Sequence, residues 1–515
     1  MRLVAFRRRA SLGSRVSVPA AVLAAALALA LAGGAAGVTS LAAPPTGQWG
    51  RVGPAVPKLF PAPNANEILG AKFGPDGRLY VFGSFTNAAG DPTADDLAVY
   101  DPGTGLWAGL GSNGAGDGAL GGTVYAITWV NGTLYAGGDS IDAGGVVGAD
   151  YLAAWTGSAW TKRGTSLNNK VLALASSNGL LYAGGMFTNV DGHSWIDHVA
   201  VFDGYAWHGM GFSGAGSDPA LGDTVRALQA LPDGRVFAAG DFTNAGTNQN
   251  ADHVAWWDPG SATWNPVGGA AGPDGLFMPG TLNAVAVVGS KVYVGGSFDN
   301  ANGDFRADNV AVWNGSDWTG LGSNVAGTDG AIADTVTSLA VYGSNVIAAG
   351  SFLDAGGNAA ADTIAAWNGT KWLALGVPNQ GDVIDGLAIS GRTLVATGYF
   401  SSIGGALGTD RIAAFGLPAG PSAPRTLAGT AGAKKVTLSW AAPATLNGGG
   451  PVRDFVIQYR KKGATAWKTF ADGVKTTRSA IVTGLLSGTT YEFRVSAQND
   501  WGTGPCTAAL STKVR

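Results

Sequence analysis

The chain has 515 residues, of which 83 are glycine and only 13% are charged. This composition favours many short strands and tight turns over long helices. The single cysteine, Cys506, excludes a disulfide framework and a cysteine-based metal site within one chain.

The charge is divided unevenly along the chain. Residues 1–43 carry five basic groups and no acid, residues 44–420 carry 14 basic against 31 acidic groups, and residues 421–515 carry 13 against 4. The sequence therefore predicts an acidic body followed by a basic C-terminal domain. An acidic body argues against a nucleic-acid partner.

Residues 1–43 have the pattern of a signal peptide. A basic start at residues 7–15 precedes an apolar run at about residues 18–38, and small residues follow. This order is typical of an export signal, with cleavage expected between Gly33 and Ala43. The apolar run is also just long enough to span a bilayer, so an uncleaved signal anchor is the alternative. We expect a secreted or cell-surface protein that contacts a membrane only if the signal is uncleaved.

Two motifs recur after the signal, Trp-x-x-x-Gly and Asp-x-(Leu/Val/Ile)-Ala-x-aromatic. Six of the seven tryptophan motifs follow an aspartate motif. The first tryptophan motif has no aspartate motif before it, and the last aspartate motif has no tryptophan motif after it, so joining the chain ends gives seven complete units. The motif residues are Trp49, Trp107, Trp160, Trp207, Trp264, Trp318 and Trp372, with Asp95, Asp150, Asp197, Asp252, Asp308, Asp362 and Asp410.

Each unit predicts four short strands. Apolar residues alternate in a first strand such as 171–175, a two-residue turn leads to a second strand that ends in glycine, and the two motifs supply the third and fourth strands. Four strands in each unit of about 50 residues predict a β-propeller. The predicted fold class is all-β, with a seven-bladed β-propeller at residues 44–416 whose last blade takes its outer strand from residues 47–53. An open array would leave exposed strand edges, which invite pairing with other chains.

The two seven-fold motifs resemble those of kelch-like and related seven-bladed propellers over about residues 45–416. Galactose oxidase is similar in combining a propeller with a β-sandwich, and that resemblance would imply a copper site with a cysteine-linked tyrosine and histidine ligands. Cys506 lies near the end of the chain, outside the repeats. We therefore expect no copper chemistry, no other cofactor and no metal site.

The recurring side chains have structural interpretations. One tryptophan per unit is expected to pack between neighbouring units. Each aspartate begins a strand after a glycine-rich loop, where a carboxylate accepts hydrogen bonds from loop amides. A repeated calcium site is the alternative for the aspartates. It is disfavoured because most of these loops supply one acid, whereas calcium needs several oxygen ligands.

Loop length separates the two ends of the predicted strands. The turns after the first and third strands are short, and strand alternation places all the longer loops at the opposite end, including 112–122, 212–223, 270–280 and 323–334. Binding residues favour such loops on a rigid scaffold, so this end is the predicted ligand-binding face. The candidate residues for a glycan or metal contact are His193, Trp195, His198 and His253. The alternative is that they are ordinary exposed loop residues.

The pattern changes at the end of the repeats. Residues 417–423 read as a Pro/Gly linker, and residues 424–515 contain alternating strands that carry Trp440 and Tyr491. These features resemble a fibronectin type III domain, an immunoglobulin-like β-sandwich. The resemblance implies that the tryptophan packs in the sandwich core and that the tyrosine forms the tyrosine corner. Ser487 departs from the proline that is common in that turn.

No catalytic set is evident. Glycosidases usually rely on two carboxylates, and the chain has only two glutamates, Glu67 and Glu492, one in each predicted domain. Asp91 with Asp95 or Asp96 is the remaining candidate pair.

We therefore predict an extracellular binding or scaffolding protein. Its long loops would be presented to a glycan or a protein, and its basic domain would dock to an anionic cell-surface polymer or to the acidic body. The alternative is an extracellular polysaccharide-acting enzyme, because type III domains often accompany secreted glycan hydrolases.

Overall fold

The computed structural model describes residues 41–53, 59–60, 67–165, 167–213, 218–268, 278–376, 382–406 and 408–515. All of them belong to one compact unit, Ser40–Arg515. The predicted signal sequence up to residue 40, and most of the predicted loop at 270–280, lie outside the described residues. Within the described ranges, no helix is long and apolar enough to cross a membrane.

Seven four-stranded antiparallel sheets form from the repeats, and consecutive strands are neighbours in sheets 1 to 6. The glycine that ends a second strand is required by a close approach: a Cβ at Gly185 would lie 2.1 Å from the carbonyl oxygen of Lys170. The strands are β1 Trp49–Gly50; sheet 1, β2 Glu67–Phe73, β3 Leu79–Ser84, β4 Leu97–Asp101 and β5 Leu106–Gly109; sheet 2, β6 Val124–Val130, β7 Thr133–Gly138, β8 Leu152–Trp155 and β9 Trp160–Thr161; sheet 3, β10 Val171–Ser177, β11 Leu180–Gly185, β12 Val199–Phe202 and β13 Trp207–Gly209; a small pair, β14 Phe212–Ser213 and β15 Asp218–Pro219; sheet 4, β16 Val225–Ala230, β17 Val236–Gly240, β18 Val254–Asp258 and β19 Thr263–Pro266; sheet 5, β20 Met278–Val288, β21 Lys291–Asp299, β22 Val310–Trp313 and β23 Trp318–Gly320; sheet 6, β24 Val336–Tyr342, β25 Asn345–Gly350, β26 Ile364–Trp367 and β27 Trp372–Ala374; and sheet 7, β28 Val383–Ser390, β29 Thr393–Tyr399 and β30 Ile412–Gly416 with β1.

The N-terminal strand β1 is the fourth strand of sheet 7. Trp49 pairs with Phe415 and Gly50 pairs with Ala414. The backbone N–H of Gly47 extends the pairing by donating to the carbonyl oxygen of Gly416 at 2.7 Å. Two segments from opposite ends of the repeat region are therefore held in one sheet.

These sheets correct the predicted fold class. The sequence predicted a seven-bladed β-propeller of kelch type. The described residues before the sandwich form an all-β region of separate four-stranded antiparallel sheets, and no hydrogen-bonded ladder joins one of these sheets to the next. We describe this part of the protein as the seven-sheet region.

Neighbouring sheets pack through their first strands. β2, β6, β10, β16, β20, β24 and β28 contact one another in this order, and β28 also contacts β2. Together they line one cavity of about 520 Å³. Apolar side chains fill the spaces between sheets; for example, one core cluster joins Val81 of sheet 1 to Val395 of sheet 7.

The C-terminal part is a sandwich of two antiparallel sheets. Trp440 is 6% exposed in its core, with its ring centroid 5.3 Å from that of Phe455. The hydroxyl of Tyr491 accepts a hydrogen bond from the N–H of Leu486 at 3.3 Å, the backbone contact of a tyrosine corner. One sheet contains β31 Arg425–Gly432, β32 Lys435–Ala441 and β35 Ser479–Thr483, and the other contains β33 Asp454–Lys461, β34 Lys468–Thr469, β36 Thr490–Asn499, β37 Gly502–Thr503 and β38 Leu510–Lys513.

The predicted linker, residues 417–423, is hydrogen-bonded on both sides. The N–H of Leu417 donates to the carbonyl oxygen of Arg392 at 2.8 Å, and the N–H of Ala419 donates to that of Asn447 at 3.1 Å. Trp501 of the sandwich packs against Tyr342 of sheet 6, with ring centroids 6.2 Å apart. The sandwich is thus fixed to the seven-sheet region by contacts beyond the covalent chain.

Candidate binding surface

One face of the seven-sheet region collects the longer loops that the structure describes. Antiparallel order puts the loop after each second strand at the same end as the loop that leads to the next sheet. Hydrogen bonds tie the two kinds of loop together. The repeated bond runs from a glycine N–H to an alanine carbonyl oxygen at 2.7 Å, in the pairs Gly144 to Ala119, Gly246 to Ala220 and Gly356 to Ala331. We call this end the long-loop face.

A single 3₁₀ turn shapes each described loop after a second strand in sheets 1 to 6. The residue before each turn is Asn or Asp with φ between 50° and 54°, and these two residue types tolerate the left-handed region better than other non-glycine residues. The turns are Ala88–Gly90, Ala143–Gly145, Val190–Gly192, Ala245–Thr247, Ala301–Gly303 and Ala355–Gly357.

The motif aspartates hold these turns. In six sheets Oδ1 accepts the N–H of the left-handed residue eight positions earlier, at 2.5–2.9 Å. In two of them Oδ2 also accepts a glycine N–H of the following loop at 3.1 Å, Asp95 from Gly118 and Asp308 from Gly330. The carboxylates therefore accept hydrogen bonds from backbone amides. Among the described residues, no group of three or more His, Cys, Asp or Glu side chains could hold a metal ion.

The motif tryptophans lie between neighbouring sheets. In five sheets the indole N–H donates to a carbonyl oxygen at the end of the preceding sheet's fourth strand. Trp107 and Trp207 have the same position in their motif, but their buried indole N–H groups have no hydrogen-bond partner among the described residues. The five bonds run from Trp49 to Leu375 (2.5 Å), Trp160 to Leu110 (2.6 Å), Trp264 to Met210 (2.7 Å), Trp318 to Val267 (2.8 Å) and Trp372 to Leu321 (2.7 Å).

The four candidate ligand residues divide into two groups. His198 and His253 have left-handed φ values of 61° and 60°, and Nδ1 of each ring lies 3.3 and 3.1 Å from the carbonyl oxygen that closes the second strand of its own sheet. His193 and Trp195 lie together on the long-loop face, with ring centroids 4.6 Å apart. Of the four, the structure therefore brings together His193 and Trp195, of which His193 is exposed and Trp195 is half-buried.

Phe212 extends this aromatic pair. Its ring centroid lies 6.0 Å from that of Trp195, and the residue is 53% exposed. Phe212 was not among the site residues predicted from the sequence. Its signal was an aromatic residue at the start of a glycine-rich insertion, where no strand pattern requires one.

A second apolar group lies between sheets 5 and 6. Val325 in the 323–334 loop is 85% exposed, and Leu353 after the second strand of sheet 6 is 42% exposed. Both line a cavity of about 580 Å³ with the carboxylates of Asp334 and Asp354 at its edge. Met186, which follows the closing glycine of sheet 3, adds a further exposed side chain at 41%. A set of exposed large apolar side chains on one face is a mark of an interaction site.

The carboxylate pair proposed from Asp91 is engaged in local structure. Oδ1 of Asp91 accepts from the N–H and hydroxyl of Thr93, and Oδ2 accepts from the N–H of Gly109. Burial opposes ionisation, but these hydrogen bonds hold the pKa of Asp91 below its usual value. Its neighbour Asp96 is different, because burial raises the pKa of Asp96 to about 8.

Asp96→Asn is expected to stabilise the protein at neutral pH. Asn309, at the same position in sheet 5, makes the same bond: its Oδ1 accepts from Phe298 as that of Asp96 accepts from Phe85, each at 3.3 Å. The pKa of Asp96 is raised on folding, so its contribution to stability is complete below about pH 4 and is lost as the pH rises through about 8. The variant should gain about 1–3 kcal/mol at pH 8 and nothing near pH 3.5 in denaturant titrations. A gain that does not change with pH would contradict this assignment.

Comparison with known proteins identifies the C-terminal part. A fibronectin type III domain is present at residues 422–513, whereas no kelch or propeller family matches the chain. The chain is 31% identical over 94 residues to Protein turtle of Drosophila melanogaster, covering 18% of this chain and 6% of that protein. It is 35% identical over 83 residues to neogenin of Homo sapiens, covering 16% and 6%. It is 31% identical over 94 residues to the cell adhesion molecule DSCAM of Homo sapiens, covering 18% and 4%.

The chain therefore spans only a small part, 4–6%, of the length of these curated relatives. The predicted location, secreted or at the cell surface, is confirmed by these relatives, which include a cell adhesion molecule.

Proposed function

We propose that this is an extracellular or cell-surface binding protein that engages a protein partner through its long-loop face. The observation that carries the proposal is a set of exposed apolar side chains on that face: Phe212 next to the half-buried Trp195 near sheet 3, and Val325 and Leu353 in one cavity near sheet 6. Aromatic and other apolar side chains form the centres of protein interfaces.

A protein partner is favoured over a glycan. Val325 and Leu353 offer aliphatic contacts in a cavity whose exposed lining is mostly apolar. Sugar recognition by the four residues first considered has less support, because His198 and His253 are directed at backbone carbonyls. The similarity to a cell adhesion molecule, DSCAM, also favours an extracellular protein partner.

The basic sandwich offers a second candidate surface. The ring of Trp467 lies between two guanidinium groups, 4.4 Å from that of Arg460 and 4.2 Å from that of Arg494. At the contact with the seven-sheet region the sandwich supplies an acidic group, because its Asp500 pairs with Lys371 of sheet 6. Arg460 is itself paired with Glu492 at 2.7 Å, so an anionic cell-surface polymer would be held by the excess of basic over acidic groups in this domain.

One observation favours the enzyme alternative. Burial raises the pKa of Asp385 to about 7, and the charge of Glu67 adds to the rise; the two residues lie on the contacting strands β28 and β2. A carboxylic acid beside a carboxylate is the arrangement that glycosidases use.

Phe212→Asp is expected to weaken binding by at least about tenfold. The measurement is biolayer interferometry of residues 41–515 against purified secreted and surface proteins of the source organism. Tyr205→Asp is the matched control, because Tyr205 is 91% exposed and lies in the short turn after β12, on the opposite face. A variant that carries both Arg460→Ala and Arg494→Ala measures whether the sandwich surface contributes to binding.

Equal loss in the two aromatic variants, or loss only in the arginine variant, would contradict the proposed face. A parallel assay for new reducing ends after incubation with polysaccharides tests the enzyme alternative. Release of sugar that is abolished by Asp385→Asn would replace the binding function with hydrolysis.

A further inference from the structure

The cavity between the seven first strands combines apolar side chains with a single lysine. All seven sheets contribute to its wall, and most of the side chains are apolar, among them Phe82, Ile127, Leu228 and Leu387. Its volume of about 520 Å³ lies within the range of small-molecule sites, roughly 300–1,000 Å³. The cavity is distinct from the apolar groups of the long-loop face.

Lys72 is the ammonium group of this lining. Its Nζ donates one hydrogen bond, to the carbonyl oxygen of Ile127 at 3.1 Å, although an ammonium has three donors. No carboxylate of the described residues lies within ion-pair distance of it, and none lines the cavity. The side chain is exposed to solvent within the cavity, and partial desolvation by the surrounding protein lowers the pKa of Lys72 to about 8.

An ammonium group that protein partly desolvates is stabilised by a nearby anion. A bare inorganic anion would pair with the ammonium but leave the apolar wall in contact with water. A ligand with an anionic head and an apolar body satisfies both parts of the cavity. A carboxylate carries one negative charge, which balances the one charge of the Lys72 ammonium.

We propose that the cavity binds a small carboxylate with an apolar body, its carboxylate on Lys72 and its chain along the side chains of the first strands. This site does not depend on the proposed protein-binding face, and its occupant is a metabolite-sized molecule and not a macromolecule.

The test is calorimetric titration of residues 41–515 with sodium octanoate at pH 7. Octanoate should bind saturably, and Lys72→Met should weaken the binding by about tenfold or more, because a hydrogen bond to a charged group is lost. Lys291→Met is the matched control, since Lys291 is exposed at the start of β21, and it should bind octanoate as the unchanged protein does.

A second variant keeps the ammonium and fills the space. Ala227 of β16 lines the cavity, and Ala227→Phe should abolish octanoate binding while Lys72 is intact, even if Lys72→Met fails to fold. The proposal is overturned if the unchanged protein shows no saturable binding or if Lys72→Met binds octanoate equally. Equal binding of 1-octanol would show that the carboxylate does not contribute to binding. Equal binding of acetate or chloride would show that the apolar wall does not contribute. Either result overturns the proposal.

Discussion

Trp49→Ala is expected to lower the free energy of unfolding by about 3–5 kcal/mol, the range for a buried tryptophan replaced by alanine. Trp49 is 9% exposed, its indole N–H donates to the carbonyl oxygen of Leu375 in sheet 6, and its ring lies 4.9 Å from that of Phe415. The substitution therefore removes packing in sheet 7 and a hydrogen bond to sheet 6 at once. Denaturant titration monitored by tryptophan fluorescence and circular dichroism measures the effect.

A truncation tests the same strand through its edge. A chain that begins at residue 54 lacks β1, which leaves the unpaired edge of β30 open to other chains. We expect this variant to associate in sedimentation experiments, whereas a chain that begins at residue 41 stays monomeric. Tyr205→Ala, at a 91% exposed residue, is the control and should leave stability within about 0.5 kcal/mol. A monomeric truncated chain with unchanged melting would contradict the structural role of β1.

The second large effect is expected at the joint between the seven-sheet region and the sandwich. Asp500 accepts ion pairs from Lys371 at 3.0 Å and Arg453 at 3.2 Å, and Trp501 packs on Tyr342. Asp500→Ala combined with Trp501→Ala should release the sandwich, so that its amides tumble faster in ¹⁵N relaxation measurements. Trp467→Ala, on a different part of the sandwich, is the control and should leave the tumbling of the sandwich unchanged.

The same joint should respond to acid. Burial opposes ionisation of Asp500, but the hydrogen bonds from Lys371 and Arg453 outweigh it and lower its pKa. A group whose pKa falls on folding stabilises the folded state above its unfolded pKa, and this contribution is lost as the pH falls through the folded pKa. The sandwich should therefore tumble with the rest of the protein at neutral pH and begin to loosen below about pH 4. A sandwich that tumbles independently at pH 7 would contradict a fixed joint.

Local periodicity predicted strands, because alternation and turn residues are encoded within a few neighbouring positions. The same local signals placed Trp440 and Tyr491 in a type III domain, now found at residues 422–513. The fold class beyond all-β required knowledge of how separate sheets are arranged and of family membership. A motif count does not provide either, and the predicted kelch-type propeller was corrected to seven separate sheets.

The candidate site was less predictable than the strands. His198 and His253 share a sequence position that forces a left-handed backbone, so their rings turn to carbonyl oxygens instead of the surface. Phe212 comes close to Trp195 only because the loop after β11 and the insertion after β13 meet at the same end of sheet 3. Lys72 looks like an ordinary polar residue in its strand, and its isolation depends on the lining contributed by six other sheets.

Hydrogen–deuterium exchange of the complex with a purified protein partner tests the central claim most directly. Binding is expected to slow exchange at the amides of 186–196, 210–213, 323–334 and 351–357, which carry the exposed apolar side chains of the long-loop face. Exchange in the short turns of the opposite face, such as 203–206, should not change. Protection confined to those short turns or to the sandwich at 422–513 would contradict the claim that the long-loop face is the binding surface.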